Sequence, residues 1–505
     1  MTTIVVSGDR LSAADVVAVA RGGDDVEVGP QVAARMEPAR RVVADAVTRG
    51  DVVYGITTGF GALASTRVEP AESAAMQVAL LRSHAAGVGP ALPDDQVRAM
   101  LLLRARTLAQ GHSGVRVEVV QGLVDLLRHD ILPVVPGQGS VGASGDLAPF
   151  AHLALPLIGE GTVRVEGVEM PAAAALAQAG LTPLVLQPKE GLSLLNGTEG
   201  MLAMLVLGLD RAHRIVRAAD LAAALSVEAL LGSARPFAPE IHALRPHPGQ
   251  AESARRIRAA LQGSEIVASH RDDFQHAVQD AYSLRCAPQV HGAAADVLAF
   301  GDAVAERELG AVVDNPIVFP ETGEVVSAGN FHGEPLAFAL DFAAIAIAEV
   351  ASISERRTDR ILDPVRSAGL PPFLATRPGL DSGYMIAQYT AAALVAENRV
   401  LCHPASVDSI PTSGLQEDHV SMGWGAGRKL GGVLDNATRV VAVELLCAAE
   451  GLDRRPLRPG VGTAAVHAAI RRVVPPLEHD RPPGPAIEAI AALLTAGVLD
   501  DAVAP

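Results

Sequence analysis

Apolar positions along the chain recur first at helical spacing and then as long, nearly continuous blocks. Ile4 to Val6 reads as a short strand, and a helix follows from Leu11 with Asp9 as its cap candidate. Stretches 72–86 and 94–110 carry apolar residues three and four apart and stop near Gly87 and Gly111, which predicts an early helical layer. The small-residue stretch 137–145 interrupts that layer before 147–157 resumes an apolar run. From Leu192 the texture changes. Stretches 200–231, 334–357, 383–401 and 430–449 are too long for strands, and each ends near Gly, Pro or a charge cluster. Helices apolar on most faces pack among other helices, so these predict a large bundle or an oligomer core. Connectors rich in Pro and Gly at 235–250 and 363–379 supply the breaks.

The expected fold is therefore mostly α. Residues 1–195 form a smaller mixed N-terminal region that carries the small-residue loop, and 196–452 form a central helical bundle. Residues 453–505 read as a peripheral helical segment punctuated by Pro456, Pro459, Pro482, Pro483 and Pro485. Composition agrees with helices. Hydrophobic residues make up 49% while aromatics make up only 3%, and mean hydropathy is +0.27, a balance suited to Ala, Val and Leu in helices rather than to aromatic-rich sheets.

Charge narrows the partners. A formal net charge of −16 opposes a phosphate backbone or an anionic membrane surface and favours a small soluble substrate. Cys286, Cys402 and Cys447 are too few and too scattered for a disulfide framework or a four-thiolate zinc site, so a reducing compartment is expected. The first residues lack the basic and apolar segments of a secretory signal, and no apolar run reaches the roughly 18 to 20 residues of a membrane span. The expectation is a cytoplasmic protein.

The most informative stretch is Gly142-Ala143-Ser144-Gly145-Asp146-Leu147. Taken alone it is a flexible loop whose glycines allow unusual backbone angles. An Ala-Ser-Gly triplet can also become an electrophile. If the Gly145 nitrogen attacks the Ala143 carbonyl and two waters leave, Ser144 becomes an alkene on an imidazolone ring, an electron sink that otherwise needs a cofactor.

Five blocks carry a resemblance: Gly139 through Pro149, Tyr54 through Gly61, Leu195-Asn196-Gly197-Thr198, Gln279 through Cys286, and Gly329-Asn330-Phe331-His332-Gly333. In content and order, from Tyr54 through Trp424, the chain resembles the aromatic amino acid ammonia-lyases and aminomutases. The resemblance implies a bundle of long antiparallel helices and a homotetramer whose active sites combine subunits. It also implies a 4-methylidene-imidazole-5-one group self-formed from Ala143, Ser144 and Gly145, with no external organic cofactor and no metal.

The same resemblance makes Tyr54 a base or proton-transfer residue and Tyr282 a second phenol near the electrophile. As a phenolate, Tyr54 would need its pKa lowered by nearby positive charge. Arg285 stands three residues after Tyr282, on the same face of any helix, and its planar fork suits a substrate carboxylate in two parallel bonds. Asn196 supplies a neighbouring amide, and Gln279 and Phe331 match a polar and an apolar pocket position.

Substrate choice falls to Ser83-His84 and Gln416-Glu417-Asp418-His419. An imidazole at His84 and a carboxylate at Glu417 suit hydrogen bonding to a polar ring, and a bare phenyl would leave them unpaired. With the stretch 407–412, this resembles the histidine-specific branch, which implies L-histidine as substrate, trans-urocanate and ammonia as products, and Glu417 as a catalytic group. Thr57, where many members of that branch carry Asn or Ser, keeps a tyrosine aminomutase or another aryl amino acid lyase as the alternative.

Competing chemistries lack their patterns. Ser144 has no Gly-x-Ser-x-Gly spacing for a hydrolase elbow. His242, His247, His270 and His276 form no His-Glu-x-x-His arrangement, Asp272 and Asp273 read as surface acids, and no Walker motif occurs.

Overall fold

The computed structural model describes residues 3–22, 25–270 and 278–501, so His276, Asp272 and Asp273 lie outside the described residues. The fold is mostly α, a large bundle of long helices with a smaller mixed N-terminal region that holds three of the four small sheets found among the described residues. The longest helices are Glu199–Ala229, Ala287–Glu308, Glu334–Leu362 and Gly423–Leu452. By contacts the chain divides into two compact units. The first is Met1–Leu207, Asp302–Leu340 and Pro404–Arg428; the second is Gly208–Gly301, Asp341–His403 and Lys429–Pro505.

In the first unit the opening strand Thr3–Val6 pairs in parallel with Asp25–Val28. Helix Ala13–Ala20 between them starts at Ser12, not Asp9. The Ser12 hydroxyl accepts from the Asp15 amide at 3.1 Å and the Asp15 carboxylate accepts from the Ser12 amide at 2.9 Å, a reciprocal capping box. Asp9 instead pairs with Arg35 at 3.1 Å. Helices Ser73–His84 and Asp94–Leu108 stand where the periodicity places them. The other sheets, including hairpin Ile317–Phe319 with Glu324–Val326, use strands of two to four residues. So short a strand has barely one alternation to announce it.

A buried ion pair in the first unit joins helix Asp94–Leu108 to the start of helix Glu199–Ala229. Arg104 and Glu199 are both buried and meet at 2.7 Å, and the Arg104 Nε also donates to the Ser193 carbonyl at 3.0 Å. Removing only the cation strands a buried carboxylate. Arg104→Met is expected to lower unfolding free energy by about 3 to 5 kcal/mol, with Glu199→Leu in the same chain recovering most of it. Denaturant titration of both variants checks this, and a single-variant loss below about 1 kcal/mol would refute it.

The second unit has its own polar hub. Glu444, fully buried, accepts from Ser226 at 2.7 Å, from Ser354 at 2.6 Å and from Arg357 at 2.5 and 2.8 Å, tying three helices at one carboxylate. Arg357 also donates to the Ser283 carbonyl at 3.3 Å, which holds the short helix Tyr282–Arg285 against this hub.

Two helical stretches, Glu190–Ala229 and Glu334–Leu362, are long and apolar enough to cross a membrane, contrary to the reading that no run reaches that length. Their most apolar windows are 100% and 67% buried, which is how core helices of a bundle present themselves.

Candidate active site

A cavity of about 690 Å³ in the first unit brings together Tyr54, His84, Ser144, Asn196 and Glu417, whose positions span most of the chain. Phe60, Met76, Leu80 and Leu192 give it apolar walls.

The Ala143-Ser144-Gly145 triplet is a clamped turn. Ser144 has φ +51° and Gly145 φ +85°, so two successive left-handed residues bend the backbone sharply at the triplet. For a serine that conformation is uncommon and must be held by its surroundings. A Cβ on Gly145 would stand 2.3 Å from the Gly197 carbonyl oxygen, and one on Gly142 would stand 2.1 Å from the Ser421 hydroxyl. Backbone bonds close the clamp, Asp146 N to Gly197 O at 2.8 Å and Met422 N to Val141 O at 2.9 Å. This tight turn, with Gly197 and Ser421 in close contact, fits a ring built from the triplet.

Asp146 anchors the turn to the start of helix Glu199–Ala229. Its carboxyl accepts from the Met201 amide at 2.9 Å and from the Ser140 hydroxyl at 3.3 Å. Complete burial, reinforced by the charge of Glu199, pushes it from 3.8 up to about 8 against the opposing bonds from Met201, Ser140 and Gly200. An acid whose folded pKa is raised stabilises the fold most below its unfolded pKa and loses that contribution as pH rises through the folded value. Stability of the parent should therefore decline from about pH 4 to about pH 8 through this group, and Asp146→Asn should flatten that decline. Thermal midpoints across the range decide it, and a slope unchanged in the variant would refute it.

Tyr54 sits edge-on to Phe60, ring centres 6.4 Å apart, and its hydroxyl accepts from the Gly61 amide at 3.2 Å. Burial raises its pKa, the Gly61 bond opposes this, and Glu417 raises it further. No positive charge of the kind a phenolate would need acts on it among the described residues, and the shift favours the protonated phenol.

His84 ends helix Ser73–His84 with Nδ1 3.0 Å from the Leu80 carbonyl. Burial lowers its pKa, outweighing the Leu80 bond and the charge of Glu417, so the ring is neutral near pH 7. A carbonyl can only accept, which assigns the proton to Nδ1 and leaves Nε2 as an acceptor.

Glu417 is seated by its own turn. Thr412 donates its hydroxyl to Oε2 at 2.9 Å, and the two residues pair through their backbones. The Ser144 hydroxyl donates to Oε1 at 3.5 Å. Ser413 fixes this segment to the Tyr54 turn by accepting from the Ala62 amide at 3.2 Å, and it fills the space a Cβ on Gly61 would need, 2.2 Å away. Asn196 gives one amide hydrogen to the Asn315 carbonyl at 2.7 Å and keeps a second donor and its oxygen.

Thr57, the departure that kept an aminomutase in view, does not line the cavity. Its hydroxyl donates to the Asp51 carbonyl at 2.5 Å and accepts from the Val53 amide at 2.9 Å, so it shapes the turn beneath Tyr54.

The remaining site candidates are not among the residues lining the cavity. Phe331 is half-buried in the turn before helix Glu334–Leu362. Gln279, Tyr282 and Arg285 belong to the second unit. There Arg285 stacks on the Tyr282 ring, 4.7 Å from guanidinium carbon to ring centre, and no carboxylate among the described residues pairs with it. Its Nε is buried without a partner. Sequence reading missed the roles of Asp146 as a clamp and of Ser413 as a tether, because both act on backbone groups distant along the chain.

Comparison with known proteins adds four findings. A family profile described as aromatic amino acid lyase matches residues 11–472. The chain is 54% identical over 505 residues to a histidine ammonia-lyase of Sorangium cellulosum, covering 98% of each chain. Among solved structures it resembles histidine ammonia-lyase from Trypanosoma cruzi, with TM-score 0.91, 42% identity and coverage of 100% of this chain and 95% of the other. It also resembles a tyrosine aminomutase from Streptomyces globisporus, with TM-score 0.94, 38% identity and coverage of 99% and 98%. Backbone shape is thus shared between a lyase and an aminomutase, and the side chains in the cavity must separate them.

Proposed function

The chain belongs to the aromatic amino acid lyase family, and from that premise we propose that it is a carbon–nitrogen lyase converting L-histidine to trans-urocanate and ammonia. The observation that carries the reading is the meeting of His84 and Glu417, both hydrogen-bond acceptors, beside Ser144 in one cavity. A protonated imidazole presents two N–H groups and satisfies both. A phenyl ring would leave each unpaired at about 1 to 3 kcal/mol.

Membership implies an electrophile of the methylidene-imidazolone type, and we assign it to Ala143, Ser144 and Gly145, the turn whose backbone is already bent and clamped. Once formed, such a group supplies the electron sink that makes the substrate amine a leaving group. The other tasks fall to ordinary side chains. Glu417 accepts one N–H of the protonated imidazole and receives a proton, His84 Nε2 accepts the other N–H and fixes the ring, and Tyr54 presents a protonated phenol from a rigid turn for proton transfer. Asn196 offers its second amide hydrogen to the substrate carboxylate. Arg285, which pairs with no carboxylate among the described residues, is assigned the same carboxylate, with Tyr282 beside it and Gln279 and Phe331 as flanking pocket groups. The assembly proposed is a cytoplasmic homotetramer with shared active sites, acting on a small molecule and not on nucleic acid or membrane.

A panel of histidine, tyrosine and phenylalanine tests the reading by following the arylacrylate and any β-amino acid. Urocanate from histidine is expected, and β-tyrosine from tyrosine as the main product would move the chain to the aminomutases. Arg285→Lys keeps the charge but loses the planar fork, so kcat/KM for histidine should fall at least about tenfold. An unchanged value removes Arg285 from the carboxylate site.

A further inference from the structure

Outside the residues that line the cavity, His332, Glu334 and His419 bring one ligand atom each to within 4.8 Å of one another. They come from two chain segments of the first unit, the turn that opens helix Glu334–Leu362 and the segment that follows Glu417. Two nitrogens, His332 Nε2 and His419 Nδ1, are 3.4 Å apart. That spacing is what two imidazole nitrogens about 2.1 Å from a tetrahedral ion would show, since a tetrahedral angle places them roughly 3.4 Å apart. It also suits a plain imidazole–imidazole hydrogen bond, so spacing alone does not decide. Glu334 does. Its Oε2 is buried with no hydrogen-bond partner, and a bare carboxylate oxygen out of water is costly unless a cation meets it.

We propose that His332, Glu334 and His419 bind one divalent transition-metal ion of the zinc class, with water completing its coordination. Two neutral imidazoles and a carboxylate are a recognised zinc donor set that leaves one position open. Such an ion would act as a clip. Gly333 is pressed against Met201 and Ser421, a Cβ there standing 2.4 Å from the Met201 methyl carbon and 3.3 Å from the Ser421 hydroxyl. Ser421 abuts Gly142, and the Met422 amide bonds the Val141 carbonyl at 2.9 Å. The ion therefore joins the Phe331 turn to the strip of chain that holds both Glu417 and the Ala143 turn. It is a positioning device and touches no reacting atom.

The test uses the full-length protein, stripped with chelator and then titrated with Co²⁺ and Zn²⁺ in the absence of histidine, which would itself chelate the metal. Expected are one ion per chain, visible ligand-field bands of low-symmetry Co²⁺ that Zn²⁺ displaces, and a rise in thermal midpoint on metal addition. His332→Asn, His419→Asn and Glu334→Gln should each weaken binding at least about tenfold. Their midpoints without metal should stay near the parent's, and Glu334→Gln, which keeps the shape, decides the matter if a histidine variant unfolds. Absence of stoichiometric binding at micromolar metal overturns the proposal. So does binding that survives His332→Asn with His419→Asn, since the ion would then sit elsewhere, Cys286 and Cys402 being alternative soft donors.

Discussion

Ser144→Ala is expected to yield a folded protein whose histidine turnover falls by about four orders of magnitude or more, the scale seen when one member of a catalytic unit is removed. The parent's intact mass should lie about 36 Da below that of the unmodified chain, two waters lost from its own backbone and side chain, and Ser144→Ala should show no such deficit. The near-ultraviolet absorbance of the conjugated ring should vanish with it. The argument is one of atoms, because the alkene carbon can come only from the Ser144 side chain. The fold should survive, since alanine meets the same left-handed φ as serine and gives up only a long 3.5 Å contact with Glu417. Gly145→Ala separates chemistry from geometry. Its Cβ would collide with the Gly197 carbonyl at 2.3 Å, so that variant should lose absorbance and thermal stability together. A parent mass equal to the unmodified chain, or turnover retained in Ser144→Ala, would remove the triplet from the mechanism.

What the sequence could and could not convey follows from the range of each physical signal. Helices such as Glu199–Ala229 were readable because a periodic apolar pattern is local and repeated over many turns. The start of helix Ala13–Ala20 was misplaced because Asp9 and Ser12 are both good caps. Only the reciprocal bond with Asp15 selects Ser12. Strands of two to four residues left almost no pattern. The site divides the same way. Tyr54, Ser144 and Asn196 lie in blocks whose content marks them, and the cavity gathers all three. That Ser413 reaches the Tyr54 turn across 351 positions is a matter of chain closure, which carries no local signature. The protonation of Tyr54 was also out of reach. Its direction depends on burial and on Glu417, neither of which spacing reveals.

Glu417→Gln should lower kcat for histidine strongly, and His84→Leu should weaken histidine use while improving phenylalanine relative to it. The surroundings of Glu417 tolerate an amide, because the Thr412 hydroxyl 2.9 Å from Oε2 can donate to an oxygen or accept from an amide nitrogen. Structure should therefore persist while basicity is lost. If Glu417 only accepted the imidazole N–H, its loss would cost one hydrogen bond to a charged group, about 1.5 to 3 kcal/mol, and fall mainly on KM. If it also takes a proton, kcat should drop by a further factor of about 10² to 10⁴. Electrostatics supplies a second readout. Glu417 raises the pKa of both Tyr54 and His84, so neutralising it should move both downward. In the variant, the limb of the pH profile that belongs to Tyr54 should shift toward lower pH. His84→Leu acts on preference. It removes the Nε2 acceptor and lets a phenyl ring meet an apolar wall, which at 1 to 3 kcal/mol corresponds to a change of roughly 5- to 150-fold in the histidine-to-phenylalanine ratio. Kinetic constants for both variants on both substrates, with the pH profile of Glu417→Gln, check each part. Parent-like preference in His84→Leu together with parent-like kcat in Glu417→Gln would leave the ring of the substrate with no recognised partner in this cavity, and the assignment of L-histidine would fall with it.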